Sequence, residues 1–297
     1  MTRLRRWLAN PWGRPRFLVL FTALYLVWSI VPILIAIRFS FNEGRSRSTA
    51  QGWSLRWYSG DPDLSVFHDP DLRLALFQSL RLAAIAVLVT VPLGVALAIG
   101  LTRWRGRGAG TARGISLATL VTPEIVMGTA LLLVFIHLLT FIQLGIVAQA
   151  IGHITFSLVF VVIIVRGRLL AIGPEYEEAA RDLGASRIQA LRLALLPMLV
   201  PAIVASGIIV FAISMDDFVI SNFLSSGTAT DTVPVRIYAT GRTAPTPALN
   251  ALATVTLVIT IVIALVGFLL WRGVRAARGQ TGSTVGEFAA LDAEAVR

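Results

Sequence analysis

The stretch GPEYEEAARDLGASRIQALRLALLP, residues 173–197, is a charged interruption between two long apolar runs. A proline and three glutamates at its start are typical of a helix beginning, and Gly184 is typical of a helix end. Ser186 and Gln189 then have the spacing of a capping box, which opens a second helix. We call this stretch the central segment. It is predicted to form two short helices joined at a glycine corner, the second ending at Pro197.

The composition around the central segment is that of a membrane protein. Of the 297 residues 56% are hydrophobic and only 14% are charged, with a mean hydropathy of +0.78. Soluble domains carry about 25% charged residues. So few charges cannot cover a solvated surface, so the apolar faces are expected to contact the lipid bilayer. The predicted fold class is an all-α polytopic membrane protein.

Five apolar runs account for six predicted membrane spans. A run of about 20 apolar residues in a helix spans roughly 30 Å of hydrocarbon. Residues 115–165 are almost unbroken apolar, too long for one crossing, so we place a turn between residues 143 and 152. A proline at position 123 is expected to kink the span that contains it. The predicted spans are residues 17–37, 77–101, 115–139, 146–165, 198–223 and 249–271.

The arginines give the orientation of these spans. With the N-terminus inside, the cytoplasmic segments carry 18 arginines and the outer loops carry 7. This asymmetry agrees with the positive-inside rule and predicts that both termini are cytoplasmic. The net charge of +10 is then explained by topology, and we expect no nucleic-acid partner.

The sequence offers no catalytic set. It has no cysteine, no GxxxxGK[ST] phosphate-binding loop and no Ser/His/Asp or metal-ligand spacing. His137 and His153 flank the predicted turn after the third span, and we interpret both as interface residues. The chain is therefore predicted not to be an enzyme and to bind no cofactor or metal itself.

Physical chemistry leaves two interpretations of the central segment. Helices that rest on a bilayer usually present Lys and Arg to the lipid headgroups. Here Glu178 is followed by Ala179 and Ala180, so that a carboxylate stands beside small residues that allow close approach. One interpretation is a docking surface for another protein, and the other is an amphipathic loop helix on the membrane surface.

The central segment resembles the EAA motif of ABC-importer permeases, E-A-A-x3-G-x9-I-x-L-P. Ala194 replaces the isoleucine, which removes apolar volume but keeps the spacing. The resemblance extends to the binding-protein-dependent (MetI-like) family, and within it to the spermidine/putrescine permeases of the PotC type, over about two-thirds of the chain. The matching residues are Ser79, Leu80, residues 122–128, Glu178, Ala179, Ala180, Gly184, Leu196, Pro197, residues 214–221 and residues 232–238.

This resemblance implies a set of partners and a division of the chain. The partners are a second permease subunit forming a heterodimer, two cytoplasmic ATPase subunits that bind ATP and Mg, and an extracytoplasmic binding protein, all at the bacterial inner membrane. Residues 1–16 are then a cytoplasmic N-terminus, residues 17–73 a first span with its external loop, residues 74–272 a MetI-like core, and residues 273–297 a disordered cytoplasmic tail. The residues that would couple to the ATPase are Glu178, Ala179, Ala180, Leu183, Gly184 and Pro197.

Three acids lie within the predicted spans. Glu124 is nine residues into the third span, ~14 Å deep at ~1.5 Å per residue. Asp216 and Asp217 are near the outer end of the fifth span. An ionised acid at mid-bilayer costs roughly 2.5–3.5 kcal/mol, so these side chains should face a cavity or a protein partner. They are candidates for a cation path through the protein, or alternatively for structural pairing between helices.

A track of acids favours an organic cation as cargo, because acids at the mouth of a pore concentrate cations. The hypothesis is a permease subunit of an ATP-driven polyamine importer. The same class of importer could carry another small solute, such as an opine, thiamine or Fe(III). A channel or a self-contained secondary transporter is the alternative class, which would be expected to show inverted repeats.

Overall fold

The computed structural model describes residues 16–46, 49–104, 106–243 and 246–277. All the longer regular elements within these ranges are helices. A short π-helix, Arg56–Gly60, lies between the first two, and a 3₁₀ turn, Thr228–Thr230, precedes the ninth. The helices are α1 Arg16–Ser40, α2 Pro70–Arg103, α3 Ala109–Val121, α4 Glu124–His137, α5 Ile146–Ile172, α6 Glu175–Asp182, α7 Arg187–Asp216, α8 Val219–Phe223, α9 Val233–Thr243 and α10 Pro247–Ala277.

Five helices, α1, α2, α5, α7 and α10, are long and apolar enough to cross a membrane. A sixth crossing results if α3 and α4 together form one span, although these two helices meet at an angle of 107°. The all-α polytopic class is confirmed. The structure replaces the kinked third span with a sharp break, because Pro123 has no N–H to donate and disfavours helix at Thr122, whose ψ of 123° is extended.

This break changes the expected position of Glu124. The sequence predicted that this acid lies nine residues along a continuous helix. In the structure Glu124 is instead the first residue of α4, directly after the break. Its depth cannot therefore be obtained by counting helical residues from position 115.

The predicted end of the second central-segment helix at Pro197 is wrong. Helix α7 begins at Arg187 and continues through this proline to Asp216. The six residues Ala190–Leu195, just before the proline, adopt a wider π-helical turn. A wider turn allows the chain to pass a proline that cannot donate to the carbonyl four residues earlier. The membrane core and the central segment therefore share one continuous helix.

The predicted fifth span is also broken near its C-terminal end. Helix α7 stops at Asp216, and Asp217, with ψ of 117°, is extended. Helix α8 then resumes at Val219 and ends at Phe223. The break places two consecutive aspartates at a helix end, where their side chains have different surroundings.

Other boundaries differ by smaller amounts. Helix α2 begins at Pro70, seven residues before the predicted span, and α5 continues to Ile172. Helix α10 runs to Ala277, past the predicted start of the tail at residue 273. Residues 1–15 of the predicted N-terminal segment and residues 278–297 of the predicted tail lie outside the described residues.

The chain divides into two compact units, of which the first contains the described residues up to Asp69 together with Gly241–Thr254. The loop between α1 and α2 is organised by Trp57, whose buried indole Nε1 donates to the Asn42 carbonyl at 2.6 Å. Arg56 pairs with Asp61 at 2.8 Å. The hydrogen bond from this guanidinium lowers the pKa of Asp61 below its ordinary value.

The second unit, Pro70–Thr240 with the chain from Val255 onward, contains the apolar core. In it α2, α5 and α7 pack against one another. Gly94 permits close approach of α2 and α5, since a Cβ there would lie 2.6 Å from the Val161 side chain. The buried centre of this core includes Ala86, Ala98, Val161, Val165, Leu195, Leu199 and Val210.

Candidate functional site

The three acids predicted from the sequence come together in the second unit. The Glu124 carboxyl lies within hydrogen-bonding reach of Asp217 and interacts electrostatically with both Asp217 and Asp216. The break before α4 and the break after α7 bring them together, since one places Glu124 at a helix start and the other places the aspartates at a helix end. We call these three residues the acid cluster.

Asp217 is the buried member of the acid cluster, with 6% of its surface exposed. Its Oδ2 accepts hydrogen bonds from the Ser221 amide and the Ser221 hydroxyl, both at 2.8 Å. His153 Nε2 lies 3.1 Å from the same oxygen. Asp217 thereby satisfies the free amides at the start of α8 and joins this helix to α5.

His153 is also buried and is bonded at both ring nitrogens. Its Nδ1 lies 2.8 Å from Ser214 Oγ, and its Nε2 lies 3.0 Å from Ser221 Oγ. Because the Ser221 hydroxyl hydrogen already points to Asp217, Nε2 must carry a hydrogen in order to bond that hydroxyl oxygen. The imidazole therefore connects α5 to both sides of the break between α7 and α8.

Asp216 and Glu124 have more open surroundings than Asp217. The Asp216 residue is exposed and Glu124 is half-buried. Next to them, the Phe218 ring packs on Tyr238 of α9 with ring centroids 4.8 Å apart. The cluster thus consists of one aspartate enclosed by its neighbours and two carboxyls in more open surroundings.

The buried side-chain amides of Gln78 and Gln149 fix the chain next to the acid cluster. Gln78 Nε2 donates to Gln149 Oε1 at 3.0 Å, which joins α2 to α5. Gln149 Nε2 in turn donates to the carbonyls of Ser221 and Thr230, each at 3.0 Å. The chain on the C-terminal side of the break is therefore fixed to two membrane helices.

His153 and Gln149 were not identified as site residues from the sequence. The prediction that His153 is an interface residue is wrong, since only 2% of its surface is exposed. The available signal was a polar stripe in an apolar helix, because Gln149, His153 and Ser157 recur every four residues and all three are buried. His137 at the end of α4 is exposed.

The central segment forms a tight corner between α6 and α7. Gly184 has a φ of +90°, and its amide donates to the Arg181 carbonyl at 2.9 Å. The Ala185 amide donates to the Ala180 carbonyl at 3.0 Å, which completes a Schellman motif. Ser186 and Gln189 form the predicted capping box, with both reciprocal bonds present.

Most of the residues predicted to couple to an ATPase lie on the surface of this corner. Glu178, Ala179 and Gly184 are exposed, Leu183 is 91% exposed, and Ala180 is half-buried. An open depression of about 470 Å³ runs beside them, lined by both acidic and basic side chains.

Pro197 does not belong to this corner. It lies half-buried inside α7, beyond the π-helical turn that packs against α6. The structure therefore separates it from the other five residues. Its position is that of a helix residue entering the membrane core.

Metal binding has no support within the described ranges. No group of three or more His, Cys, Asp or Glu side chains there has the geometry to hold a metal ion. The polar arrangement of the acid cluster suits a ligand that donates hydrogen bonds, such as an ammonium group.

The family follows from the sequence match and the fold together. The chain belongs to the family described as the inner membrane component of binding-protein-dependent transport systems, whose profile matches residues 90–276. It is 36% identical over 261 residues to the spermidine/putrescine transport system permease protein PotC of Escherichia coli K12, covering 88% of this chain and 95% of that one. It is 33% identical over 267 residues to the putrescine permease protein PotI of the same organism, covering 88% and 90%.

A solved structure gives the same fold. A bacterial ABC transporter that imports alginate superposes with a TM-score of 0.67 at 17% identity, over 90% of this chain and 98% of that one. The chain is therefore a multi-pass inner-membrane permease subunit by family and by fold. Its relatives PotC and PotI are permease proteins of transport systems.

Proposed function

We propose that this chain is a transmembrane subunit of an ATP-driven polyamine importer, with spermidine and putrescine as the cargo class. It forms half of the translocation path together with a second permease subunit. Two cytoplasmic ATPase subunits bind ATP and Mg and carry out the hydrolysis, so the chain itself needs no ATPase site. An extracytoplasmic binding protein delivers the cargo, and both termini of the chain are cytoplasmic.

The observation that carries the cargo assignment is the similarity to permeases named for spermidine and putrescine over nearly nine-tenths of the chain. The acid cluster supports it. Asp216 is exposed and Glu124 is half-buried beside it, so the two carboxyls can accept hydrogen bonds from an ammonium group. Neutralisation by a cation would also relieve the repulsion between the carboxyls.

The docking of an ATPase is supported by the surface of the central segment. Leu183 is almost fully exposed and Glu178 lies beside the depression at the corner. A partner that covers Leu183 with an apolar surface and places an arginine next to Glu178 would complement both features. Helix α7 carries this surface directly into the membrane core, because its π-helical turn buries Leu195 there.

Reconstitution tests the proposal. The chain would be assembled with its second permease, ATPase and binding protein in proteoliposomes, and uptake of labelled spermidine and putrescine measured with ATP and without it. We expect saturable uptake that requires both ATP and the binding protein. Uptake without the ATPase would contradict the importer class, and ATP-dependent uptake of a different solute with none of either polyamine would contradict the cargo.

A further inference from the structure

One ion pair connects the corner of the central segment to the longest membrane helix. Arg103 Nη2 donates to Glu177 Oε1, and both side chains are partly shielded from solvent, with 35% and 22% exposed. Arg103 is the last residue of α2 and Glu177 lies in the first turn of α6. A cation at a helix C-terminus and an anion at a helix N-terminus are each stabilised by the helix dipoles, so the pair suits both ends.

Apart from this ion pair, helix α6 is attached to the rest of the protein without burying any of its residues. None of the residues of α6, all of which the structure describes, is buried. The helix packs against the π-helical turn of α7. Its link to α2 is therefore a polar contact at the surface and not a shared core.

The end of α2 is held so that Arg103 can reach this partner. Arg113 of α3 donates to the carbonyls of Leu101 and Trp104, each at 3.2 Å. These carbonyls are at the C-terminus of α2, where the helix leaves backbone acceptors unpaired. The Arg103 side chain is thus free of this capping role and extends to α6.

Helix α2 connects this end to the acid cluster. It packs along both α5 and α7. Near its other end Gln78 donates to Gln149, and Gln149 donates to the carbonyl of Ser221, whose amide and hydroxyl bind Asp217. Gln78 and Arg103 are separated by 25 positions in one helix, about 37 Å at ~1.5 Å per residue.

We propose that the Arg103–Glu177 ion pair transmits movement between α6 and α2, and that α2 passes it to the acid cluster through the Gln78–Gln149 amide pair. Arg103 and Glu177 are then positioning residues for transport, distinct from the surface that binds the ATPase. The inference rests on the proposed docking of an ATPase at the central segment. Rigid helices joined by specific polar contacts are one physical means by which distant sites can be coupled.

Charge reversal and charge exchange in the complete transporter test this role. The variants are Arg103→Glu, Glu177→Arg and the double exchange, each in proteoliposomes with all partner subunits. The measurements are ATPase co-purification, the stimulation of ATP hydrolysis by cargo-loaded binding protein, and polyamine uptake per ATP hydrolysed. Arg107→Glu, an exposed arginine four residues further along, is the matched control.

We expect each single reversal to retain the ATPase but to lower uptake per ATP by about tenfold. This factor lies within the range that coupling between two sites of a protein typically produces. Stimulation of ATP hydrolysis by the binding protein should fall with it, since on this proposal the signal from the cargo side passes through the same ion pair. The double exchange should recover part of both, because it restores the attraction between the two side chains but places each charge against its helix dipole, and Arg107→Glu should leave both unchanged.

Three outcomes would overturn the inference. These are single reversals with unchanged uptake per ATP, a double exchange no better than the single reversals, and single reversals that release the ATPase. The last would make the pair part of the docking surface. If the parent chain itself holds no ATPase, the proposed function fails first, which separates that failure from one confined to the ion pair.

Discussion

His153 Nε2 lies 3.1 Å from Asp217 Oδ2, and both side chains are almost completely buried. This contact fixes α5 to the break between α7 and α8. Removal of one member of such a pair leaves a buried polar group without its partner, and the cost is larger than the net stabilisation by the contact.

His153→Ala should therefore destabilise the protein by about 1–3 kcal/mol. The measurement is the apparent unfolding temperature in detergent. His137→Ala is the matched control, because that histidine is exposed, and it should change little. Combining His153→Ala with Asp217→Asn should cost less than the sum of the two single changes. Strictly additive costs would contradict direct coupling between the residues.

Asp216→Asn and Glu124→Gln should reduce polyamine uptake, because they remove the negative charge that concentrates a cation at the path. We expect a loss of about tenfold or more at low cargo concentration. Initial uptake rates in proteoliposomes measure this loss, and Asp63→Asn in the loop between α1 and α2 serves as control. Normal uptake in both variants would remove these two residues from the path.

Glu178→Arg should weaken the binding of the ATPase without loss of membrane insertion. The change places a cation where an acid is exposed beside the depression, and like charges across an interface repel. Co-purification from solubilised membranes measures this binding. Glu43→Arg makes the same reversal in the loop between α1 and α2, away from the central segment in the sequence, and should retain the ATPase. Equal recovery of the ATPase with both variants would contradict docking at the central segment.

Gly184→Ala should strain the corner between α6 and α7. No atom lies within 4 Å of the added Cβ, so the cost comes from the backbone φ of +90°, about 1–2 kcal/mol. We expect weaker ATPase co-purification but an unchanged unfolding temperature of the membrane core. Gly167→Ala in α5 also meets no neighbour and has an ordinary helical backbone, so it is the matched control. Gly184→Asn should be milder, since asparagine tolerates this conformation.

The loop between α1 and α2 should lose stability in acid. The hydrogen bond from Arg56 lowers the pKa of Asp61, so the folded loop binds a proton less readily than the unfolded loop. The contribution of this hydrogen bond to the stability of the loop is fully present above the ordinary carboxyl pKa of 3.8. It is lost as the pH falls through the lower pKa that Asp61 has in the folded loop. Pepsin cleavage of the loop across an acid pH series measures this loss. Asp61→Asn should flatten the dependence, and an unchanged dependence in that variant would assign it to another group.

The amino-acid sequence by itself determined the class, the number of apolar runs and the local form of the central segment. Composition excludes a soluble fold, and the glycine, serine and glutamine of the corner act within a few residues of one another. Their hydrogen bonds are local, so the Schellman motif at Gly184 and the capping box at Ser186 follow from spacing alone.

Only the tertiary structure decided the breaks and the partners. Pro123 ends a helix whereas Pro197 is passed by a π-helical turn, although both are prolines in apolar surroundings. The contacts of His153 with Asp217 and of Arg103 with Glu177 join residues more than 60 positions apart. Such pairs depend on how helices pack, because burial and distance between separate helices are not encoded in the periodicity of either one.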